Sequence, residues 1–136
     1  MMDEELRKIR LKKAEELLKL SSMPRHIVNI TSAEEFDKII NDYPNRLIII
    51  DFWATWCGPC RVFAPIFEKL QQEYANDFIF LKVNVDAVPA IASRYRVSAI
   101  PTTLFIKNRE PINKVVGAMN YNTLKGFLEK LKNGNN

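Results

Sequence analysis

The 136-residue sequence predicts an α/β fold in which helices flank both faces of a central mixed β-sheet. The segment "LIIIDFWA" is almost entirely apolar, which is typical of a strand that is buried on both faces. A helical segment from about Gly58 to Tyr74 follows it and leads into a second strand, "FIFLKVNVD". Two strands connected in this way are expected to be parallel, with a right-handed crossover. A hairpin further along the chain adds antiparallel pairing.

The first element along the chain is a predicted amphipathic helix over residues 3 to about 20, which "SSMPR" ends. Its apolar side chains recur on one face, at Leu6, Ile9, Ala14, Leu17 and Leu20. We interpret residues 1–24 as an N-terminal helical extension, residues 25–132 as one compact domain and residues 133–136 as a frayed tail. The extension packs on the domain, attaches to it loosely or serves as a docking helix for a partner.

The compact domain begins with the short strand "HIVNI", which the helix "SAEEFDKIINDY" follows. Ser32 and Glu35 have the spacing of a capping box at the start of this helix. In the later helix, Pro65 should cause a kink, because proline cannot donate the hydrogen bond that continues a helix.

The second half of the domain contains a helix, the hairpin and a closing helix. A short helix is predicted around "VPAIASRY". The strands "TTLFIK" and "INKVVGA" are connected by "NREP", which indicates a hairpin. The amphipathic segment "YNTLKGFLEKL" predicts the helix that closes the domain.

Composition and charge narrow the function classes. A hydrophobic content of 47% is ordinary for one globular domain, and no apolar run approaches the ~20 residues of a membrane span. The first 20 residues lack an apolar signal core and contain five acidic residues, so neither a secretory signal nor a transit peptide is expected. The net charge of +4 is modest. We therefore expect a cytoplasmic protein without membrane or nucleic-acid partners. We also expect a monomer.

Both cysteines lie in one short segment, "DFWATWCGPC", as Cys57 and Cys60. Structural zinc needs about four ligands, and the sole histidine, His26, is distant, so only a metal or cluster shared between two chains would fit. A structural disulfide across four residues would add only ~2 kcal/mol in the loop-closure model. Reversible redox exchange fits best, with no metal and no cofactor other than the cysteine pair itself.

A position at the start of a helix gives the two cysteines different roles in disulfide exchange. Its free N–H groups and positive dipole end stabilise a thiolate at Cys57, and the thiolate is the nucleophile in disulfide exchange. Pro59 suits an early helical position, and Gly58 leaves the approach to the sulfur open. Cys60 should be more buried. We therefore predict that Cys57 attacks a substrate disulfide and that Cys60 resolves the mixed disulfide.

Asp51 ends the apolar run and is the candidate proton acceptor. If it is buried, desolvation raises its pKa, so that it can exchange a proton with Cys60 as general base and then acid. The alternative is a half-exposed carboxylate at the end of a strand. Lys82, on the neighbouring parallel strand, either tunes this carboxylate or extends its ammonium group to solvent.

The motifs "DFWATWCGPC", "NVD" and "AIPT" together resemble the thioredoxin family, over roughly residues 26–132. The full W-C-G-P-C, with its upstream aspartate and downstream Ile-Pro-Thr, is a specific signal. The resemblance implies the thioredoxin fold, with Cys57 as nucleophile, Cys60 as resolving cysteine, Asp51 as the buried aspartate and Lys82 as the lysine beside it.

The resemblance also implies a substrate-binding surface. Pro101 matches a proline that the family holds in the cis form, facing the cysteines, which would let the backbone of Ile100 pair with an extended substrate. An apolar rim for partners is implied at Trp56, Ile100, Gly117 and Ala118. Trp53 matches a tryptophan packed under the active-site loop.

Two features depart from the family pattern. Arg109 occupies a hairpin position where the family often has glycine, so a different turn geometry is expected there. The N-terminal helix is an addition, and it would restrict partner choice if it folded over the surface formed by Trp56 and Ile100.

By this resemblance, the chain is expected to be a general protein-disulfide reductase for client proteins with disulfides, recharged by a thioredoxin reductase. The Gly-Pro dipeptide between the cysteines is similar to that of the reducing members of the family. A disulfide isomerase or oxidase is the second hypothesis. A scaffold or interaction subunit that uses the same surface is the third.

Overall fold

The computed structural model describes residues 2–134. Ten elements follow one another in this part of the chain. They are α1 (Met2–Ser21), β1 (Val28–Asn29), α2 (Ala33–Asp42), β2 (Ile48–Trp53), α3 (Gly58–Glu73), β3 (Ile79–Asn84), α4 (Pro89–Arg94), β4 (Thr102–Lys107), β5 (Glu110–Val116) and α5 (Tyr121–Lys132).

The sheet has the strand order β1-β3-β2-β4-β5. The central strand β2 pairs parallel with β3 and antiparallel with β4, so the predicted mixed sheet is confirmed. β1 is parallel to β3, and β5 is an antiparallel edge strand beside β4. The predicted parallel relation of the two apolar strands therefore holds.

Two hydrophobic cores, one on each face of the sheet, explain the apolar sequence of β2. Ile48, Ile50 and Phe52 pack in the core that α2 and α4 cover. Ile49 packs in the other core, beneath α3 and α5. Because successive side chains of a strand point to opposite faces, Asp51 shares the face of Ile49, which α3 covers.

The predicted capping of α2 is present with one difference. The backbone N–H of Glu35 donates to Ser32 Oγ over 3.1 Å, which makes Ser32 the N-cap residue. The Glu35 carboxylate returns to the N–H of Thr31 at 2.8 Å, one residue before the position expected in a capping box. Pro65 lies inside α3, which continues past it to Glu73; the kink stays a prediction.

The predicted four-residue connection "NREP" is wrong, because the hairpin turns in two residues. Asn108 and Arg109 both have positive φ, 54° and 66°, the backbone of a tight turn that matches the twist of the strands. Glu110 and Pro111 belong to β5 instead, opposite Lys107 and Ile106. Arg109 takes the left-handed conformation itself, and its Nε donates to Asn41 Oδ1 over 3.1 Å.

The predicted N-terminal helix is present as α1, but its apolar face is not buried. Leu6, Ile9 and Leu17 are 44%, 50% and 67% exposed, and the side chains at positions 19–21, Leu20 among them, lie outside the described ones. The chain joins the domain just after α1, where Met23 enters the core. Ser22 Oγ lies 3.1 Å from the hydroxyl of Tyr43.

α1 attaches at the end of the sheet where β2 begins. A cavity between α1 and the loop from α2 to β2 is lined by Lys12, Glu15 and residues 42–46, among others. The helix therefore does not cover the surface of Trp56 and Ile100, which lies at the other end of β2. None of the helices among residues 2–134 is long and apolar enough to span a bilayer.

The C-terminal segment is described only in part. Asn133 caps α5 with its backbone N–H on the carbonyl oxygen of Glu129, and Gly134 follows in a turn. The last two residues of the predicted tail, 135 and 136, lie outside the described part.

Candidate active site

The two cysteines lie where β2 passes into α3. They form a disulfide, with their Cα atoms 5.3 Å apart. Cys57 is the N-cap residue of α3, and its Sγ accepts a hydrogen bond from the backbone N–H of Cys60 over 3.2 Å. Pro59 lies in the first turn, where its missing N–H leaves no bond unmade. The sulfur of Cys57 thus occupies the positive end of a 16-residue helix.

Two hydrogen bonds to backbone carbonyl oxygens hold the loop before α3. The N–H of Cys57 donates to the carbonyl oxygen of Ala54 over 3.3 Å. The guanidinium of Arg61 reaches back to the carbonyl oxygen of Thr55 at 2.8 Å. These two bonds fix the position of the N-cap sulfur relative to the end of β2.

Burial barely distinguishes the two cysteines in the disulfide form. Cys57 is 5% exposed and Cys60 is 3% exposed, so the expected greater burial of Cys60 is slight. The exposure of the neighbouring residues favours access to Cys57, since Trp56, Gly58 and Pro59 are all exposed. A Cβ added to Gly58 would meet no atom within 4 Å, so the space beside Cys57 is open to an approaching partner.

The segment before β4 forms the facing wall of the site. The peptide bond between Ile100 and Pro101 is cis, as the resemblance implied. The carbonyl oxygen of Ile100 lies 3.8 Å from Cys57 Sγ, a contact without a hydrogen, because the sulfur is oxidised. Ile100 also packs against the cluster of Ala54 and the two cysteines.

Gly117 attaches the end of β5 to the same wall. Its N–H donates to the carbonyl oxygen of Pro101 over 2.8 Å. Its φ is +99°, a backbone conformation that residues other than glycine rarely adopt. Gly117 is half-buried and Ala118 is exposed. Ile100 therefore borders the disulfide, and Gly117 is bonded to the neighbouring Pro101. The role of Ile100, Gly117 and Ala118 as a rim for partners stays a prediction.

Asp51 is buried in the middle of the sheet, with 1% of its surface exposed, so the alternative of a half-exposed carboxylate is wrong. Burial raises its pKa to about 7, and the positive charge of Lys82 opposes the rise. Lys82 lies opposite Asp51 in the β2–β3 register, and its Nζ lies 4.8 Å from the ring centroid of Trp53. A carboxyl group that titrates near neutral pH is suited to proton exchange.

The position of α3 relates Asp51 to the cysteines. Phe63 and Phe67 of this helix pack with Ile49, on the same face of the sheet as Asp51. Cys60 lies three residues before Phe63, on the same side of the helix. Because β2 ends and α3 begins at the same edge of the sheet, the first turn of α3 lies over the end of β2 that carries Asp51.

A family model described as thioredoxin matches residues 27–130. The chain belongs to the thioredoxin family. It is 44% identical over 102 residues to the thioredoxin of Coprinus comatus, a match that covers 74% of this chain and 93% of that protein. It is 39% identical over 104 residues to a thioredoxin of Staphylococcus aureus, covering 76% of this chain and 96% of that protein.

The comparison with solved structures agrees. The structure of Schistosoma mansoni thioredoxin superposes with a TM-score of 0.72 at 36% identity, covering 78% of this chain and 95% of that chain. The predicted thioredoxin fold is confirmed, and this family member is a protein-disulfide oxidoreductase. α1 lies outside the matched family segment.

Two tryptophans flank the disulfide of this thioredoxin-family protein in different ways. Trp56 is 66% exposed, and its indole Nε1 donates to Asp86 Oδ2 over 2.8 Å. Trp53 is half-buried and packs against the cysteine cluster, where the resemblance placed it. Asp86 was not singled out as a site residue from the sequence. Its signal was present in "NVD", where Asn84 Oδ1 accepts the N–H of Asp86 and shapes the turn after β3.

No catalytic or metal-binding role was predicted for the sole histidine of the sequence. His26 is exposed at the bend before β1. Within residues 2–134, the structure brings together no group of three or more His, Cys, Asp or Glu side chains that could hold a metal ion.

Proposed function

We propose that this thioredoxin-family protein is a general protein-disulfide reductase that uses Cys57 and Cys60 as a dithiol. The observation that carries the proposal is the place of the Cys57 sulfur, at the N-cap of α3 and within one turn of a second cysteine. A sulfur in this place is stabilised as a thiolate, and the neighbouring cysteine can close the disulfide without refolding the domain.

The first step is attack by the Cys57 thiolate on a sulfur of a client disulfide. A bond forms between Cys57 and that client sulfur, the client disulfide breaks, and the other client sulfur leaves as a thiolate that takes a proton. The open space beside Gly58 and the exposed ring of Trp56 leave room for this approach.

The second step returns the protein to the state seen here. Cys60 gives its proton to Asp51, and its thiolate attacks the sulfur of Cys57 in the mixed disulfide. The Cys57–Cys60 bond forms and the second client sulfur leaves, taking up a proton that Asp51 can return. The client gains two electrons and two protons in all, and the dithiol loses them.

The client segment is proposed to bind as an extended strand along the facing wall. The carbonyl oxygen of Ile100 lies beside Cys57 Sγ, which is where a client backbone N–H could pair during attack. Trp56, Gly117 and Ala118 supply the surface around it. Contacts made to backbone suit a reductase that accepts many sequences.

Each turnover leaves the cysteine pair oxidised, so a second protein must return two electrons. We assign this role to a thioredoxin reductase, and we place the cycle in the cytoplasm, with the chain acting as a monomer. The cysteine pair is then the sole redox group that the chain needs for its own part of the cycle.

Insulin reduction tests the proposal. Wild-type protein, supplied with NADPH and a thioredoxin reductase, should precipitate insulin B chain with many turnovers, and Cys57→Ser should not. Turnover by wild type no faster than by Cys57→Ser would contradict the proposal. An equilibrium constant with glutathione separates the isomerase or oxidase alternative, because only that alternative predicts a strongly oxidising potential.

A further inference from the structure

A row of three polar side chains crosses the sheet on the face that α3 covers. Lys82 on β3, Asp51 on β2 and Thr103 on β4 are register partners, with Asp51 in the middle. Residues directly opposite each other on neighbouring strands point to the same face, with Cβ atoms roughly 4.5–5.5 Å apart in the antiparallel pair. Thr103 is thus the neighbour of Asp51 on the side away from Lys82.

Thr103 and Asp51 are both buried polar residues whose side-chain oxygens lack hydrogen-bond partners. Thr103 is fully buried at 0% exposure and Asp51 is 1% exposed. Within the described chain, neither Thr103 Oγ1 nor either carboxylate oxygen of Asp51 has a hydrogen-bond partner. Buried polar atoms are nearly always hydrogen-bonded, so three such atoms at adjacent positions point to a shared interaction.

Thr103 has one polar neighbour in the register, which is Asp51. Along the same face, the next pair in the register is Ile49 with Phe105, which is apolar. Beyond Thr103, the edge strand β5 contributes Val115. A threonine hydroxyl can donate a hydrogen bond, whereas an ionised carboxylate can only accept.

We propose that Thr103 is a positioning residue for Asp51. The hydroxyl of Thr103 donates a hydrogen bond that the ionised carboxylate of Asp51 accepts. The charged or titratable groups on the side of Asp51 are Lys82 on β3 and, from α3, the thiol of Cys60 once the disulfide is reduced. The charged side chains of α3, which are Arg61, Glu68, Lys69 and Glu73, are exposed. β4 and β5 add no charge at this position.

The hydroxyl of Thr103 is expected to act on the pKa of Asp51 in the direction opposite to burial. A hydrogen bond to the charged form favours that form, so Thr103 holds the pKa of Asp51 lower than burial alone would. This keeps the carboxyl group able to take the proton of Cys60 near neutral pH. The role thus rests on the proposed function, in which Asp51 exchanges that proton.

The test titrates the Asp51 carboxyl carbon by NMR in the oxidised protein, where Cys60 cannot titrate. Thr103→Val removes the hydroxyl and keeps the shape, and it should raise the midpoint by roughly one pH unit. Thr103→Ser keeps the hydroxyl and should restore the midpoint. Thr103→Ala should shift it in the same direction as valine, and serves if the valine variant fails to fold.

Thr102→Val is the matched control. Thr102 is equally buried on the same strand but points to the other face, and its hydroxyl donates to the carbonyl oxygen of Ala99 at 2.6 Å. It should lower stability without moving the midpoint of Asp51. An unchanged or lowered midpoint in Thr103→Val, or an equal rise in Thr102→Val, would overturn the proposal.

A second readout connects the hydroxyl to turnover. The acidic limb of the pH profile for insulin reduction should move to higher pH in Thr103→Val by the same amount as the NMR midpoint. A limb that stays in place while the midpoint moves would overturn the role in catalysis. Failure of wild-type protein to reduce insulin would instead contradict the proposed function, and the NMR titration distinguishes the two because it needs no turnover.

Discussion

Replacing Asp51 with asparagine removes a charge from the middle of the sheet while keeping the size of the side chain. The folded-state pKa of Asp51 is raised from the ordinary value of 3.8 to about 7 because the carboxyl group is buried. The folded protein therefore binds this proton more tightly than the unfolded chain does. Stability from this group is fully present well below the unfolded-state pKa of 3.8 and is lost as the pH rises towards 7.

The size of the effect follows from the two pKa values. Each unit of difference corresponds to about 1.4 kcal/mol. Relative to low pH, where the carboxyl group is protonated in both states, ionisation of Asp51 lowers the free energy of unfolding of the wild-type protein. The decrease is about 2 kcal/mol at pH 5 and about 4 kcal/mol at pH 8. Asparagine does not titrate, and the constant cost of burying its amide is the same at both pH values. The stability of Asp51→Asn relative to wild type should therefore rise by about 2 to 3 kcal/mol between pH 5 and pH 8.

Urea denaturation of the oxidised proteins at pH 5, 6, 7 and 8 measures this difference. The disulfide is kept intact so that neither cysteine titrates in the folded state. Thr102→Val is a control, since it changes a buried polar side chain of the same sheet without changing a charge, and its difference from wild type should not vary with pH. Parallel curves for wild type and Asp51→Asn across the whole range would refute the assignment of a raised pKa to Asp51.

Two further predictions concern the chemistry and α1. Cys60→Ser should accumulate mixed disulfides with client proteins in a lysate, because Cys57 can attack but no second cysteine resolves the product. Non-reducing gels with mass spectrometry would detect these species. Equal recovery with Cys57→Ser would contradict the order of attack. Deleting residues 2–21 should leave the rate of insulin reduction within about two-fold of wild type, because α1 is exposed and attaches at the opposite end of β2 from the cysteines. A loss of ten-fold or more, in a variant that still folds by circular dichroism, would show that α1 takes part in client reduction.

The sequence predicted those parts of the fold that depend on local pattern. β2 was predictable because burial on both faces requires an almost entirely apolar segment, and Ile48 and Ile49 enter different cores as expected. The N-cap at Ser32 was predictable from its spacing to Glu35. The cysteine pair and Pro101 were found because the family motif is specific.

The sequence-based predictions were wrong where the structure depends on backbone geometry and packing that no single residue type indicates. Proline is common in turns, yet Pro111 and Glu110 before it lie in β5, because positive φ at Asn108 and Arg109 closes the hairpin earlier. Proline is tolerated in β5 because it is an edge strand, where one missing N–H costs little. α1 is amphipathic in sequence, but its apolar side chains up to position 18 remain exposed, so periodicity alone did not predict packing.

Thr103 was missed for a related reason. In the sequence it is one of two threonines after Pro101, with nothing to distinguish it from Thr102. Only the register between β2 and β4 shows that Thr103 lies opposite Asp51, and that register is set by pairing across 52 positions of the chain. The fold bonds the hydroxyl of Thr102 to the carbonyl oxygen of Ala99, whereas it leaves the hydroxyl of Thr103 available for the interaction with Asp51 proposed above.

The reactivity of the sulfur of Cys57 tests the central claim most directly. Reduced Cys60→Ser protein, which has a single thiol, is treated with iodoacetamide at pH 7 beside free cysteine, of which only a few per cent is thiolate at that pH. A thiolate stabilised at the N-cap of α3 should react several-fold faster than free cysteine, and the Cys60 thiol of Cys57→Ser should react more slowly than either. A Cys57 that reacts no faster than free cysteine would contradict the account.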